Sequence, residues 1–232
     1  MRYQTLLIDF DGTLFDTRDA IRQSLQALTA LHVMQPFPPD AVDAVIDAGL
    51  TLDDMLRYLI PDMAIARLTR LAEDYRQIYN GGAGIRASSP YPDLAATLGK
   101  ISAAGIEMIL VSNKGEVSVR ATLDHHGLTG FFRDLVGLAG KPDPTGFHQR
   151  IAPHMAASHP AAVLVVGDTP ADLLYARAIG ARGCWARYGY GNEASCRALA
   201  PVAAIGRLNE LPAVLMIDDT GMVEAAPGHG RP

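Results

Sequence analysis

Thr5-Leu6-Leu7-Ile8-Asp9-Phe10-Asp11-Gly12-Thr13 decides how the chain is read. A short apolar run goes straight into an aspartate, and Asp11-Gly12-Thr13 follows as a turn signal. So short a run predicts a strand buried on both faces that feeds a turn. Just beyond it, Asp16 or Thr17 is placed to cap a helix whose apolar face is Ile21, Leu25 and Leu28. Pro36, Pro38 and Pro39 stop that helix, and from Asp40 to Tyr79 the pattern is helical throughout. Leu52, Met55, Leu56 and Leu59 fall at i, i+3, i+4 and i+7, and Leu68, Leu71, Tyr75 and Ile78 mark the next helix.

Past Gly81-Gly82-Ala83-Gly84 and Pro90-Tyr91-Pro92 the rhythm changes. Strands expected at 106–111, 135–136, 162–166, 182–186 and 202–205 alternate with helices at 93–104, 116–126, 145–157, 170–179 and near 208–215. Such alternation predicts an α/β fold, a doubly wound parallel sheet with helices on both faces. The helical block interrupts it directly after the first strand and so reads as an inserted cap. The expected division is a core of residues 1–15 and 86–217, a helical cap of 16–85 hinged at Gly81–Gly84, and a flexible tail of 218–232.

A chain of 232 residues, 49% hydrophobic and 19% charged, suits one folded domain with a sizeable insertion and not a disordered chain. Its net charge of −5 offers no broad basic footprint for nucleic acid. No apolar run approaches the ~20 residues of a membrane span, and Asp9 interrupts the only N-terminal apolar run too early for a signal peptide. Cys184 and Cys196 are too far apart for a C-x-x-C pattern. A reducing, cytoplasmic location is expected.

Open parallel sheets bind ligands beyond the carboxyl ends of their strands. Three strand ends here carry reactive groups: Asp9 to Thr13, Ser112-Asn113-Lys114, and Gly167-Asp168-Thr169-Pro170-Ala171-Asp172. Lys141 lies in a fourth loop. Asp9, Asp11 and Asp168 would supply hard oxygen ligands suited to Mg²⁺. One aspartate could attack a phosphoryl group unaided, being ionised at neutral pH. Mg²⁺, Lys141 and the Ser112 hydroxyl would offset the charge of the phosphate, and Gly12 would let the backbone come close.

Each motif alone has a plainer reading. Asp11-Gly12 is a common turn, and Ser112 to Lys114 could simply cap the following helix. Asp172 is either a favourable charge at a helix N-terminus or a group that orients Lys141 or a metal-bound water. Only three of the twenty basic residues are lysine, however, and two of those, Lys114 and Lys141, fall in these loops. A lysine chosen in an arginine-using chain points to a site that needs a compact point charge.

Taken together, the four motifs resemble those of the haloacid dehalogenase superfamily in order and approximate spacing, over about residues 1–215. The helical block sits where that family inserts its cap. Asp9 to Thr17, Pro90-Tyr91-Pro92, Ser112-Asn113-Lys114, Lys141-Pro142 and Arg187-Tyr188-Gly189-Tyr190-Gly191 are similar to its phosphoglycolate phosphatase-like branch.

The resemblance implies a Rossmann-like core and hydrolysis of a small soluble phosphate ester with Mg²⁺. It implies Asp9 as nucleophile, Asp11 as general acid/base that also gives a backbone carbonyl to the metal, and Lys141 as neutralising cation. Gly12, Thr13, Ser112, Asn113 and Lys114 would hold phosphate, and Asp168 the metal, with Asp172 behind it. Sugar-phosphate or nucleotide phosphatase, pyrophosphatase, phosphoglucomutase and an inactive binding protein are the alternatives. Asp11 speaks against a dehalogenase, and a cap without lysine against a Schiff-base mechanism. The stretch Asp47-Ala48-Gly49-Leu50-Thr51 departs from the Gly-Asn-Gly-like loop of phosphoglycolate phosphatases. Ala48–Asp53 and the stretch from Thr17 are expected to face the substrate, with Arg22 and Arg57 as candidate cap cations.

Overall fold

A computed structural model describes residues 3–138, 140–143, 145, 148–156 and 159–218. The expected tail from 219 onward, and positions 146, 147 and 157 of an expected helix, lie outside the described residues. The chain opens with β1 (Thr5–Ile8) and the two-residue β2 (Phe15–Asp16). It then forms α1 (Arg18–Leu31), α2 (Pro39–Asp47), α3 (Leu52–Leu59) and α4 (Ile65–Ile78), followed by α5 (Gly84–Ala87) and β3 (Ser89–Pro90). The alternating part comprises α6 (Leu94–Ala103), β4 (Glu107–Val111), α7 (Glu116–His125), β5 (Asp134–Val136) and α8 (His148–Ala156). It continues through β6 (Val163–Gly167), α9 (Pro170–Ala178), β7 (Arg182–Ala186), α10 (Glu193–Ala198), β8 (Ala203–Ile205) and α11 (Leu211–Val214).

Six strands form one sheet in the order β5-β4-β1-β6-β7-β8, every pair parallel. The residues of β1 are all fully or nearly fully buried, because helices cover both faces. Leu6 and Ile8 join a core with Leu110, Leu164 and Val166 on one face; Leu7 joins Ile109, Val165 and Tyr175 on the other. That two-residue period sets the register: Ile8 lies beside Leu110 on one flank and Val166 on the other. Connections run from β1 outward through β4 to β5, then cross back to β6. The reversal beside β1 opens a crevice at the carboxyl ends of β1, β4 and β6.

The cap helices bury their own core, centred on Leu25, Leu28, Leu56, Leu71 and Tyr79. Two features were not expected. Residues 79–83 form a widened helical turn kinked at Gly82 (φ 102°), so the glycine-rich stretch lies within a helical segment. The chain instead passes between core and cap at β2 and β3, which pair antiparallel and bring both crossings side by side. Cys184 and Cys196 are buried free thiols. Among the described residues, no helix is long and apolar enough to cross a membrane.

Candidate active site

Each reactive group follows the last residue of a strand. Asp9 ends β1, Ser112 ends β4 and Asp168 ends β6, all buried at the crevice. After Asp9 the chain folds back tightly: the amides of Thr13, Leu14 and Phe15 all donate to the Phe10 carbonyl, while the Phe10 and Phe15 rings stack at 4.8 Å. Gly12 sits in this turn at φ +74°, and a Cβ there would stand 2.2 Å from Asp168 Oδ2. Both the turn and the neighbouring carboxylate therefore require glycine.

Asp9, Asp168 and Asp172 each bring a carboxylate oxygen within 4.8 Å of the others. Lys141 joins them from its loop, pairing its ammonium with Asp9 Oδ1 at 2.9 Å and with Asp172 Oδ1. Asp172 also closes the first turn of α9, accepting from the Thr169 amide at 3.0 Å and its hydroxyl at 2.8 Å. Its two sequence readings are thus both realised: one oxygen serves the helix and the other holds the lysine.

Burial, against the opposing pull of Lys141, pushes the Asp9 carboxyl up to about 7. Burial and the charges of Asp172 and Asp9 raise Asp168 well above the usual carboxylate range. Burial pulls the Lys141 ammonium down, but Asp172 and Asp9 together outweigh it and the net shift is upward. Three carboxylates against one ammonium leave the cluster over-negative, and Asp9 Oδ1 accepts no well-aligned hydrogen bond. A small divalent cation fits this all-oxygen donor set, since it removes the repulsion that burial amplifies. Asp11 stands outside the carboxylate group, so any ligation by it would come through its backbone carbonyl.

Several expected phosphate contacts are already engaged elsewhere. Thr13 donates its hydroxyl to Asp168 Oδ1 at 3.1 Å. Asn113 accepts from the Lys141 amide at 2.8 Å and donates to the Gly49 carbonyl at 2.9 Å, clamping the Lys141 loop to the cap. Lys114 places its ammonium 3.1 Å from Asp11 Oδ1 and 4.1 Å from the centre of the Tyr79 ring. Burial works against the Lys114 charge, but Asp11 more than compensates and raises its pKa. Ser112 opens on the crevice, and its Oγ accepts from the Lys114 amide at 3.2 Å. Gly12 is close to Asp168 and is absent from the cavity wall.

Of the two residues expected to cap α1, Thr17 turns its hydroxyl back to Asp11 Oδ1 at 2.5 Å, while Asp16 Oδ1 accepts from the Arg18 amide at 3.2 Å. Tyr190 shares the capping with Asp16. Its hydroxyl accepts from the amides of Thr17 and Arg18 at 2.6 and 3.1 Å and donates to Asp16 at 2.8 Å. Its own amide donates to Asp168 Oδ2 at 2.7 Å, and the Arg18 guanidinium lies 4.5 Å from its ring centre. The buried Trp185 also donates its indole N–H to the Asp168 carbonyl at 3.0 Å. Neither role had a sequence signal beyond the Tyr188-Gly189-Tyr190-Gly191 pattern itself.

A cavity of about 80 Å³ lies between these groups and the cap. Ile21, Val45, Ile46, Leu52 and Met55 line it from α1, α2 and α3, and Leu50 from the loop between α2 and α3, so that Leu50 and Leu52 of the stretch expected to face the substrate do so. Neither expected cap cation is there. Arg22 pairs with Asp43 and Asp19, and Arg57 with Asp54, all on the solvated face of the cap. Helical periodicity could not choose between them and Arg76, which does line the cavity and lies 3.5 Å from Asp53.

The chain matches the model of the haloacid dehalogenase-like hydrolases over residues 6–186. It is similar to the phosphoglycolate phosphatase of Neisseria gonorrhoeae, 26% identical over 195 residues, covering 82% of each chain. That of Rhodospirillum rubrum is 29% identical over 224 residues, covering 88% of this chain and 85% of the relative. A solved structure described as a haloacid dehalogenase-like hydrolase from Bacteroides fragilis has the same fold, with a TM-score of 0.80 at 23% identity, covering 90% of this chain and 100% of that one. Because the matched span runs from β1 through β7 and carries every strand end described above, the chain belongs to the haloacid dehalogenase-like hydrolases.

Proposed function

We propose that this chain is a phosphomonoester hydrolase that works through an aspartyl-phosphate on Asp9, with residues 1–15 and 86–217 as its catalytic core and 16–85 as a lid. The observation that carries the reading is the convergence of Asp9, Asp168, Asp172 and Lys141 at the switch point of the sheet, beside the cavity under the cap. Structural needs do not account for four buried charges in one place, since a buried cluster of this kind is costly unless its charges are used.

Asp9 attacks phosphorus as the bond to the leaving oxygen breaks, and protonated Asp11 gives its proton to that oxygen. The Asp11 carboxylate then takes a proton from a water that attacks the aspartyl-phosphate, releasing phosphate and restoring Asp9. Lys141 holds the Asp9 oxygen and neutralises the incoming dianion. The Ser112 hydroxyl supplies a phosphate contact, and Gly12, Thr13, Asn113 and Lys114 frame the seat by fixing Asp168, the Lys141 loop and Asp11. Asp9, Asp168 and the Asp11 backbone carbonyl would hold Mg²⁺, with Asp172 behind them. When bound, the ion supplies charge neutralisation at the phosphoryl oxygens.

The curated relatives make 2-phosphoglycolate the reference substrate. The direct test is hydrolysis of p-nitrophenyl phosphate with Mg²⁺ and with a chelator in its place. Turnover that needs the cation, and fluoroberyllate bound at Asp9, would support the mechanism. Turnover undiminished by the chelator would remove the metal from it.

A further inference from the structure

We infer that the ester preferred by this site carries a small apolar organic group, a short alkyl chain, in place of a hydroxy acid, sugar or nucleoside. The inference rests on the hydrolase reading above and concerns only what the cap accepts. It comes from the roof of the cavity. Ile21, Val45, Ile46, Leu50, Leu52 and Met55 present hydrocarbon to the space above Asp9. That space, about 80 Å³, is well below the ~300–1,000 Å³ of pockets for drug-sized ligands. A phosphoryl group and a few carbons suit it, and the polar face of a sugar or nucleoside would meet the same hydrocarbon.

Most polar side chains in the same wall have partners already; the Ser118 hydroxyl, on the core side, is the neutral exception among the described residues. The Tyr79 hydroxyl is 2.7 Å from Ser88 Oγ, and the Tyr190 hydroxyl serves Asp16 and the start of α1. The Asn113 amide clamps Gly49 to the Lys141 loop. Lys114 is matched by Asp11, and Arg76 faces Asp53. Tyr75 of α4, the remaining polar side chain on the cap side, has its hydroxyl bonded with the Ser24 side chain. A carboxylate entering here would leave water and meet hydrocarbon or donors whose charge is already answered, which is costly. Hydroxyl groups would suffer the same loss to a smaller degree. An alkyl group would gain from burial.

The test is kcat/KM with Mg²⁺ on two matched pairs. Ethyl phosphate and 2-phosphoglycolate differ by a methyl against a carboxylate. Propyl phosphate and glycerol 3-phosphate differ by two hydroxyls. Each alkyl ester should lead its partner by about tenfold or more. If 2-phosphoglycolate equals or exceeds ethyl phosphate, the inference is overturned and the hydrolase reading stands. If none of the four is hydrolysed, the hydrolase reading itself falls, and the inference with it.

Leu50→Arg adds a fork at the half-buried edge of the roof and should swing the first ratio about tenfold toward 2-phosphoglycolate. Because a new charge there could loosen the cap, Asp53→Asn is the gentler companion. It releases Arg76 from an exposed partner and should move the ratio the same way by a few-fold. Unchanged ratios in both variants overturn the inference. So does Arg76→Gln if it raises KM for 2-phosphoglycolate tenfold or more and leaves ethyl phosphate alone, since Arg76 would then already be reading a carboxylate.

Discussion

The floor and the roof of the cavity are made of different material. Below, Asp9 and Lys141 are each 8% exposed, Asp168 and Asp172 at most 1%, and all four are tied to one another or to the backbone around them. Above, the wall is mainly hydrocarbon: Arg76 reaches it but faces Asp53, and other charges of the cap lie outside it, in exposed pairs such as Arg57 with Asp54. Buried charge is stable only when paired, whereas exposed pairs contribute little. The two regions therefore divide the work: the floor holds the charged groups of phosphoryl transfer, and the roof sorts substrates by what it declines to solvate. Substitutions of those four charged groups should lower the rate on every ester alike, and substitutions above should change ratios between esters.

The hardest blow to that comparison is Asp9→Asn. Loss of the attacking oxygen should reduce kcat by about 10⁴ or more on all substrates, and fluoroberyllate should no longer attach. The variant should stay folded, because one charge leaves an over-negative cluster. Residual activity near that of the native protein would mean the floor is merely structural.

Asp168→Asn asks whether the floor is built for a cation. The amide is isosteric: its oxygen can still accept from the Tyr190 amide, and its nitrogen can donate to the Thr13 hydroxyl. Without Mg²⁺ the variant should melt at or above the native temperature, since a repelling charge is gone. It should lose the rise in Tm that Mg²⁺ gives the native protein, and kcat should fall about 10²–10³-fold. A full Mg²⁺ response in calorimetry would take Asp168 out of the metal site.

Asp11→Asn is the next in size and the one that separates leaving groups. Removing general acid/base help should cost about 10²–10⁴ on an alkyl ester and far less on p-nitrophenyl phosphate. Equal losses on both would leave Asp11 as the partner of Lys114 and Thr17 and nothing more.

These expectations follow what was legible in the chain. The strand ends could be read because an apolar run closed by a charged residue has few structural explanations, and Asp9, Ser112 and Asp168 do stand at three neighbouring strand ends. Lysine scarcity marked Lys141 and Lys114 as worth watching. It could not say that Lys141 bridges Asp9 and Asp172 or that Lys114 sits on Asp11, because partner choice depends on how loops approach in space. Cap selectivity was less legible still. The apolar period of a helix identifies its buried face without saying whether that face looks at the cap's own core or at the cavity. The placement of Arg22 and Arg57 was missed for that reason. The orientation of the cap depends on contacts between residues far apart in sequence, such as Asn113 with Gly49 and Tyr190 with Thr17.

Tyr190 joins the two regions, and Tyr190→Phe is the smallest and most pointed test of how they are joined. Its amide stays on Asp168 in the variant, so the floor is untouched, but the Thr17 amide loses its acceptor and the Arg18 amide keeps only Asp16 at the start of α1. A helix start that loses part of its cap costs up to about 1 kcal/mol, or at most some 2–4 °C in Tm for a chain of this size. Hydrogen exchange should quicken in the first turn of α1 and leave β1 and β6 protected. Tyr188→Phe is the control, because that hydroxyl donates to the Thr13 carbonyl within the core and touches no cap helix. It should cost a similar amount of stability without loosening α1. If exchange in α1 quickens equally in both variants, the cap is not held by Tyr190. If it quickens in Tyr190→Phe alone, and the ratio of ethyl phosphate to 2-phosphoglycolate falls with it, then the seating of the roof on the floor is itself part of how the site selects.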